Sequence, residues 1–380
     1  MKKAYNESWV TNLAVQTIVR SWMKDNLVTV QQTEQVEMAF PESFYRPGIF
    51  VKIGLFLFTL FGGSFFAGFL SLFFIENAGN KTLAALSLVS AVCYYSFLEF
   101  FIRDRKLFHS GIDNALLYMA NAAAIIFFIA LFEGLEVWQY CLFILLVNAV
   151  TSLRYADLFT VFISLASIVV CFASILIKLP FGKALLPFGV MVLSAIIYFL
   201  NRKESGLYYH GCQKLIKIFT LVVFYLGGNY YIVREGNALL ADVVASNSPQ
   251  IPFAILFHIL TAVIPLLYCF IGLKNKDRIF FIVGLTAAAF SCFTYRYYFD
   301  ALAIEIVLSI AGSLLILISL LSINYLKIPR FGLSDDISDK RSLVNLEAIL
   351  IAHQFGQAPE ENTMKFGGGN FGGGGAGDDY

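Results

Sequence analysis

The chain has 380 residues, 58% of them hydrophobic and 14% charged, with a mean hydropathy of +0.73. Soluble domains carry roughly 25% charged residues, so the deficit excludes an ordinary soluble fold. Lys and Arg total 27 against 26 Asp and Glu; that balance says nothing about nucleic acid, but no dense basic block resembles a groove-binding patch, so no nucleic-acid partner is expected.

In chain order, residues 7–24 place Val10, Leu13, Ala14, Thr17, Ile18, Ser21 and Trp22 at helical spacing, and Asp25 and Asn26 end that helix. Thr29 followed by Gln32 is a capping-box pattern, and Val30, Val36, Ala39 and Phe40 mark a second apolar stripe that Pro41 stops. The expectation is a helical hairpin that buries the two stripes against each other, with a 41–47 linker to the membrane. The plain reading is a cytosolic packing module, and the sharper one a regulatory hairpin for a protein partner. No short apolar segment with a cleavage site precedes residue 40, so the run 49–75 is expected to act as an uncleaved insertion signal.

Between Lys52 and Ile75 no charged residue interrupts the chain, and a bilayer crossing needs about 20 apolar residues. Ten crossings are predicted, at 49–75, 82–102, 114–132, 135–153, 155–177, 184–200, 215–233, 251–273, 279–295 and 301–326. Two very short connections, at Glu133-Gly134 and at Arg154, require tight antiparallel pairs. Ten crossings place five of the 27 cations, Lys81, Lys178, Lys183, Arg234 and Arg296, on one side and 22 on the side of the N-terminus. Positive residues concentrate on the cytoplasmic side, so both termini are expected there, and an odd count scrambles the alternation.

The 234–250 loop is expected to hold a short interfacial helix at 238–245. Beyond the tenth crossing, 339–353 reads as an amphipathic helix with Leu343, Leu346 and Leu350 on one face, and eight glycines at 366–377 mark a disordered tail. The domains are therefore a 1–47 hairpin with linker, a 48–326 membrane domain, a 327–356 cytosolic segment and a 357–380 tail.

Ionisable residues at mid-membrane are costly and point to function. His258 is the deepest, with Thr261 and Pro265 on its face; the proline frees a carbonyl that a cavity can use. A neutral histidine bonded to a neighbouring helix is the plainer reading, a proton relay the sharper one. Glu305 is within reach of Arg296 or Lys183, and Glu99 near Arg103 and Asp157 after Arg154 each read as an interfacial salt bridge or a snorkelling group. Asn121 and Asn148 are interhelical hydrogen-bonding groups, and Gly62, Gly63, Ser64 and Gly68 form a small-residue packing seam. Five cysteines lie in apolar runs, and Cys212 beside His210 does not make a metal site alone. No HExxH, Walker or GxGxxG motif and no nucleophile with a base is present, so neither catalysis nor a cofactor is expected.

The turn residues Asp25, Asn26, Leu27, Val28 and Thr29, with Gln32, Gln35 and Arg46, and the run Tyr295, Arg296, Tyr297 and Tyr298 with Ser309, Gly312, Leu314 and Leu315, resemble a family of bacterial polytopic membrane proteins known as a domain of unknown function. The resemblance implies the bacterial inner membrane and no assigned activity. The fold class is an all-α polytopic bundle of about ten transmembrane helices. Its expected surroundings are the lipid bilayer and cytosolic proteins met through 1–40 and 338–380. A non-enzymatic scaffold is the first functional reading, and a transporter or lipid-handling protein for a small or apolar solute is the alternative.

Overall fold

The computed structural model describes residues 2–72, 79–202, 206–240 and 248–298, with positions 309, 312, 313, 316, 317, 320 and 324. Met1–Ile310 form one compact unit and Ala311–Tyr380 a second, in which the described positions, Gly312 to Asn324, are helical. Most of the expected crossing 301–326, including Glu305, and the whole of 327–380 lie outside the described residues.

Helix α1 (Glu7–Lys24) starts where the Asn6 side chain accepts from Ser8 N, and α2 (Val30–Ala39) starts with the Thr29–Gln32 capping box. Asn26 between them has φ +58°, a left-handed conformation that asparagine tolerates well. The hairpin seam differs from the expected stripe. Its buried residues are Gln16 and Val19 against Thr33, whereas Ile18, Trp22, Val30 and Met38 stay exposed. Polar bonds to the returning chain rotate the helix this way: Gln16 Nε2 donates to Phe40 O at 2.8 Å, Asn12 Nδ2 to Pro41 O at 2.7 Å, and Arg20 pairs with Glu37.

The membrane helices follow as α3 (Ile49–Leu72), α4 (Asn80–Arg105), α5 (Ile112–Leu131), α6 (Val137–Tyr155), α7 (Leu158–Leu176), α8 (Gly182–Leu200), α9 (His210–Gly228), the short α10 (Tyr230–Leu240), α11 (Ala254–Lys274) and α12 (Arg278–Tyr298). Among the described residues nine helices are long and apolar enough to cross a membrane, a 3-10 turn at Leu207–Tyr209 extending α9. No residue of α3 is buried, and Phe58 and Phe65 project from it, which suits hydrocarbon and not water. The protein is thus an all-α, multi-pass membrane helix bundle.

Successive connections fall on alternating ends. At one end the linker residue Tyr45 bridges the α4–α5 loop at Leu107, Tyr209 bonds Leu153 O near the end of α6, and Lys217 pairs with Asp277 before α12. At the other, Asn80 bonds Glu133, Lys178 pairs with Glu136, and Lys183 donates to Leu240 O. Alternation of this kind is what antiparallel crossings require.

Two boundaries depart from expectation. The seventh crossing ends at Gly228 rather than Val233, because Asn229 takes an extended conformation and its Oδ1 accepts from Ile232 N, starting α10. The short helix begins at Tyr230 and includes positions 238–240 of the expected 238–245 element, the rest of which lies outside the described residues. Arg154 is likewise no linker: α6 continues through Tyr155, Ala156 turns with φ +49°, and Asp157 caps α7 by accepting from Thr160 N at 3.0 Å.

Candidate functional site

The most polar buried region lies where the N-terminal residues meet the starts of α5 and α7. Helix N-termini carry partial positive charge and unpaired N–H groups, so they hold carboxylates without a cation. Asp113, in the first turn of α5, is 1% exposed and accepts from His109 N (2.7 Å), Ser110 N (2.8 Å), Ser110 Oγ (3.0 Å) and Tyr5 Oη (2.8 Å). Asp157 is 3% exposed and accepts from Thr160 N, Asn114 Nδ2 (2.9 Å) and Tyr118 Oη (3.0 Å). Asn114 thus links the two helix starts, and its Oδ1 is buried without a partner. The expected pairing of Asp157 with Arg154 is replaced by this neutral shell, since the turn at Ala156 sends the two side chains to different neighbours.

His109 sits in the same loop, its Nδ1 3.4 Å from Asn114 Nδ2 and its ring 5.4 Å from that of Tyr5. Burial holds its pKa below the usual histidine value, with Lys52 acting in the same direction and Asp113 and Asp157 opposing. Tyr5 is pushed well above its ordinary range, first by burial and then by Asp113.

Next to this cluster a cavity of about 450 Å³ opens between residues 2–9 and the ends of α4 and α6. Lys2, Lys3, Arg103, Lys106 and Arg154 line it, with Glu99 as its single carboxylate. Glu99 accepts from Arg154 Nε (2.7 Å) and Nη2 (2.8 Å) and from Tyr155 Oη, so its partner is Arg154 from the adjacent helix and not Arg103 one turn on. A bidentate guanidinium fork outcompetes an exposed neighbour on the same helix. Arg154 also fastens the N-terminal residues, its O accepting from Ala4 N at 3.0 Å and its Nη1 donating to Lys2 O at 3.1 Å. Tyr5, Trp9 and Phe44 form the aromatic wall, with the Lys106 ammonium 5.2 Å from the Trp9 ring.

The residues singled out from the sequence do not form one site. Asn121 and Asn148 meet, Nδ2 to Oδ1 at 3.0 Å, with Tyr95 Oη donating to Asn121 Oδ1 (2.6 Å) and Thr151 Oγ1 accepting from Asn121 Nδ2 (3.1 Å). This network joins α4, α5 and α6. His258 lies on α11, stacked on Tyr230 with centroids 3.8 Å apart, and Tyr295 Oη donates to its carbonyl. The carbonyl of Thr261, which Pro265 leaves without its helical donor, accepts from Ser291 Oγ of α12 at 2.6 Å and so is taken by a neighbour. Around it, α10 contributes a second polar centre. Arg234 binds Ser248 O and Tyr230 Oη, and Glu235 accepts from Ser248 and Tyr298.

The small-residue seam on α3 contracts to one position. A Cβ on Gly63 would lie 2.2 Å from Met119 Cε, and Tyr94 Oη donates to Gly63 O at 2.7 Å, whereas Gly62 and Gly68 face open space and Ser64 is exposed. The contact with α5 runs along one face of α3, from Lys52 and Phe56 to Gly63, and Gly62 and Gly68 lie off that face. Asp113, Asn114 and His109 were not singled out from the sequence. Their local signal is Ser110-x-x-Asp113, the capping-box spacing, directly before an apolar run.

No family model, curated protein or solved structure matches the chain.

Proposed function

We propose that this multi-pass membrane protein is a non-enzymatic scaffold or accessory protein of the bacterial inner membrane, with both termini cytoplasmic and the N-terminal hairpin acting as an arm for a protein partner. One observation carries the reading: the arm is bonded to separate connections of the bundle, through Tyr5 to Asp113, Ala4 to Arg154 and Tyr45 to the Lys106–Phe108 backbone, while Ile18, Trp22, Val30 and Met38 stay outside its own seam. A load on such an arm is transmitted to the membrane helices. Residues 338–380 are a further partner-binding segment in this reading. The test is in-cell crosslinking of the full chain, of Ile18→Lys with Trp22→Lys, and of chains lacking 1–40 or 338–380. A discrete protein adduct lost in the arm variants supports the reading, and an adduct pattern the same in all four chains overturns it.

A transporter or lipid-handling role is favoured by a different observation, the two buried carboxylates Asp113 and Asp157 with the unpartnered Asn114 Oδ1 between membrane helices. Solute or lipid flux in proteoliposomes that falls in Asp157→Asn supports that reading, and absence of flux in the wild type removes it.

A further inference from the structure

We infer that the cavity between residues 2–9 and the ends of α4 and α6 is a binding site for a phosphate-bearing anion. Five cationic side chains converge on it against one carboxylate, and that carboxylate is already held by Arg154 and Tyr155. Lys3 is paired with Glu7 outside the cavity. Lys2, Arg103 and Lys106 have no carboxylate partner among the described residues.

The simplest competing account is that Arg103 and Lys106 offset the dipole at the end of α4 and Arg154 that of α6. Each helix C-terminus presents only about half a negative charge. Two such ends balance about one cation, whereas three of the lining cations, Lys2, Arg103 and Lys106, are left once Lys3 is paired with Glu7 and Arg154 with Glu99. A surplus converging on one cavity favours an anion there, and ammonium and guanidinium donors together suit the tetrahedral, multiply charged oxygens of phosphate better than a single carboxylate. At about 450 Å³ the cavity is within the range of roughly 300–1,000 Å³ typical of small-molecule sites, so it accepts a phosphate with the glyceryl or sugar body attached to it. Tyr5, Trp9 and Phe44 offer that body an apolar wall.

The position at the ends of membrane helices admits two sources for the same chemistry, the headgroup of an anionic phospholipid and a soluble phosphate ester. Both are tested on full-length protein in nanodiscs with Trp22→Phe and Trp138→Phe, which leaves Trp9 as the single tryptophan reporter of the cavity. One arm compares phosphatidylglycerol with phosphatidylcholine discs by Trp9 emission and by lipid retained in native mass spectrometry. The other titrates inorganic phosphate and glycerol 3-phosphate into phosphatidylcholine discs. Arg103→Gln with Lys106→Gln removes two exposed cations that bond no carboxylate, and should weaken binding by about tenfold or more; Arg103→Lys with Lys106→Arg should restore it, showing that charge and not folding was lost. Phosphatidylglycerol retention that follows this pattern assigns a lipid headgroup, and a soluble titration that follows it assigns a free ester. No response to either probe, or one unchanged in the double Gln variant, overturns the site. Because the readout is anion binding, it stands or falls separately from the crosslinking result.

Discussion

Tyr5 and Asp113 stand 108 positions apart and share a buried 2.8 Å hydrogen bond, hydroxyl to carboxylate. The bond joins the first residues of the chain to the start of a membrane helix. Tyr5→Phe removes one of four donors to Asp113 while keeping the ring packed on Phe108. The expected cost is about 1–2 kcal/mol, confined to the junction. Hydrogen exchange should rise in residues 2–12 and stay unchanged in α8–α12; unchanged exchange at the N-terminus counts against the bond. The raised pKa of Tyr5 sets a pH limit as well. The fold favours the neutral phenol, so this stabilisation is complete below about pH 10, the unfolded tyrosine value, and declines above it.

His109 predicts the opposite limit. Its folded pKa is lowered by burial and by Lys52, against Asp113 and Asp157, so the neutral ring belongs to the fold. Stability from this group is present above about pH 6.5 and is lost as pH falls toward the folded value. Thermal unfolding of the full chain between pH 7.5 and 5 should show Tm falling, and His109→Asn should flatten that slope. Asparagine tolerates the φ of +47° at this position. An equal slope in both proteins assigns the acid sensitivity elsewhere.

Gly111 has φ +103°, and a Cβ there would stand 2.2 Å from Lys52 O and 3.1 Å from Phe56 N. Those are backbone atoms of α3, so no rotamer change relieves the overlap. Gly111→Ala should cost about 2 kcal/mol or more and separate α3 from α5. Proteolysis within the α4–α5 loop should accelerate; wild-type kinetics would disprove the close approach.

Gly63 and Gly62 form a matched pair of tests. Leucine at Gly63 must displace Met119 and is expected to cost about 1–3 kcal/mol. Leucine at Gly62 meets nothing within 4 Å and should be neutral. Thermal stability in detergent distinguishes them, and equal Tm values for the two variants contradict the close packing of Gly63 on Met119.

Glu99→Gln keeps an acceptor for Tyr155 but removes the charge that orients Arg154. Both side chains of the pair are partly exposed, so the stability loss should be only about 1 kcal/mol. The larger effect is expected in the N-terminal residues, which Arg154 holds through its O and Nη1. Faster exchange at Ala4 with little change in Tm is the outcome to look for, and an unaltered Ala4 amide would show that the backbone bond needs no ion pair.

The linear sequence was enough to determine the solvent and, among the described residues, nine of the ten expected spans to within a few residues. Long apolar runs separated by short charged clusters leave no other fold, because every backbone group in hydrocarbon has to bond within its own helix. The Thr29–Gln32 cap and the hairpin were legible for the same local reason: both rest on residues within one or two turns. The face of α1 that packs was not, since Gln16 and Asn12 find their acceptors at residues 40 and 41 after the chain has turned back. Partner choice in the polar groups was also hidden. Glu99 had an arginine one turn away in sequence, yet Arg154 arrives from α6 with a two-pronged geometry that only helix packing creates. Asp113 lies one residue outside the expected crossing 114–132, and burial by Tyr5 makes it part of a core. Local periodicity therefore determines which segments enter the membrane, and tertiary structure decides which charges meet, because a buried hydrogen bond depends on groups brought together from distant ends of the chain.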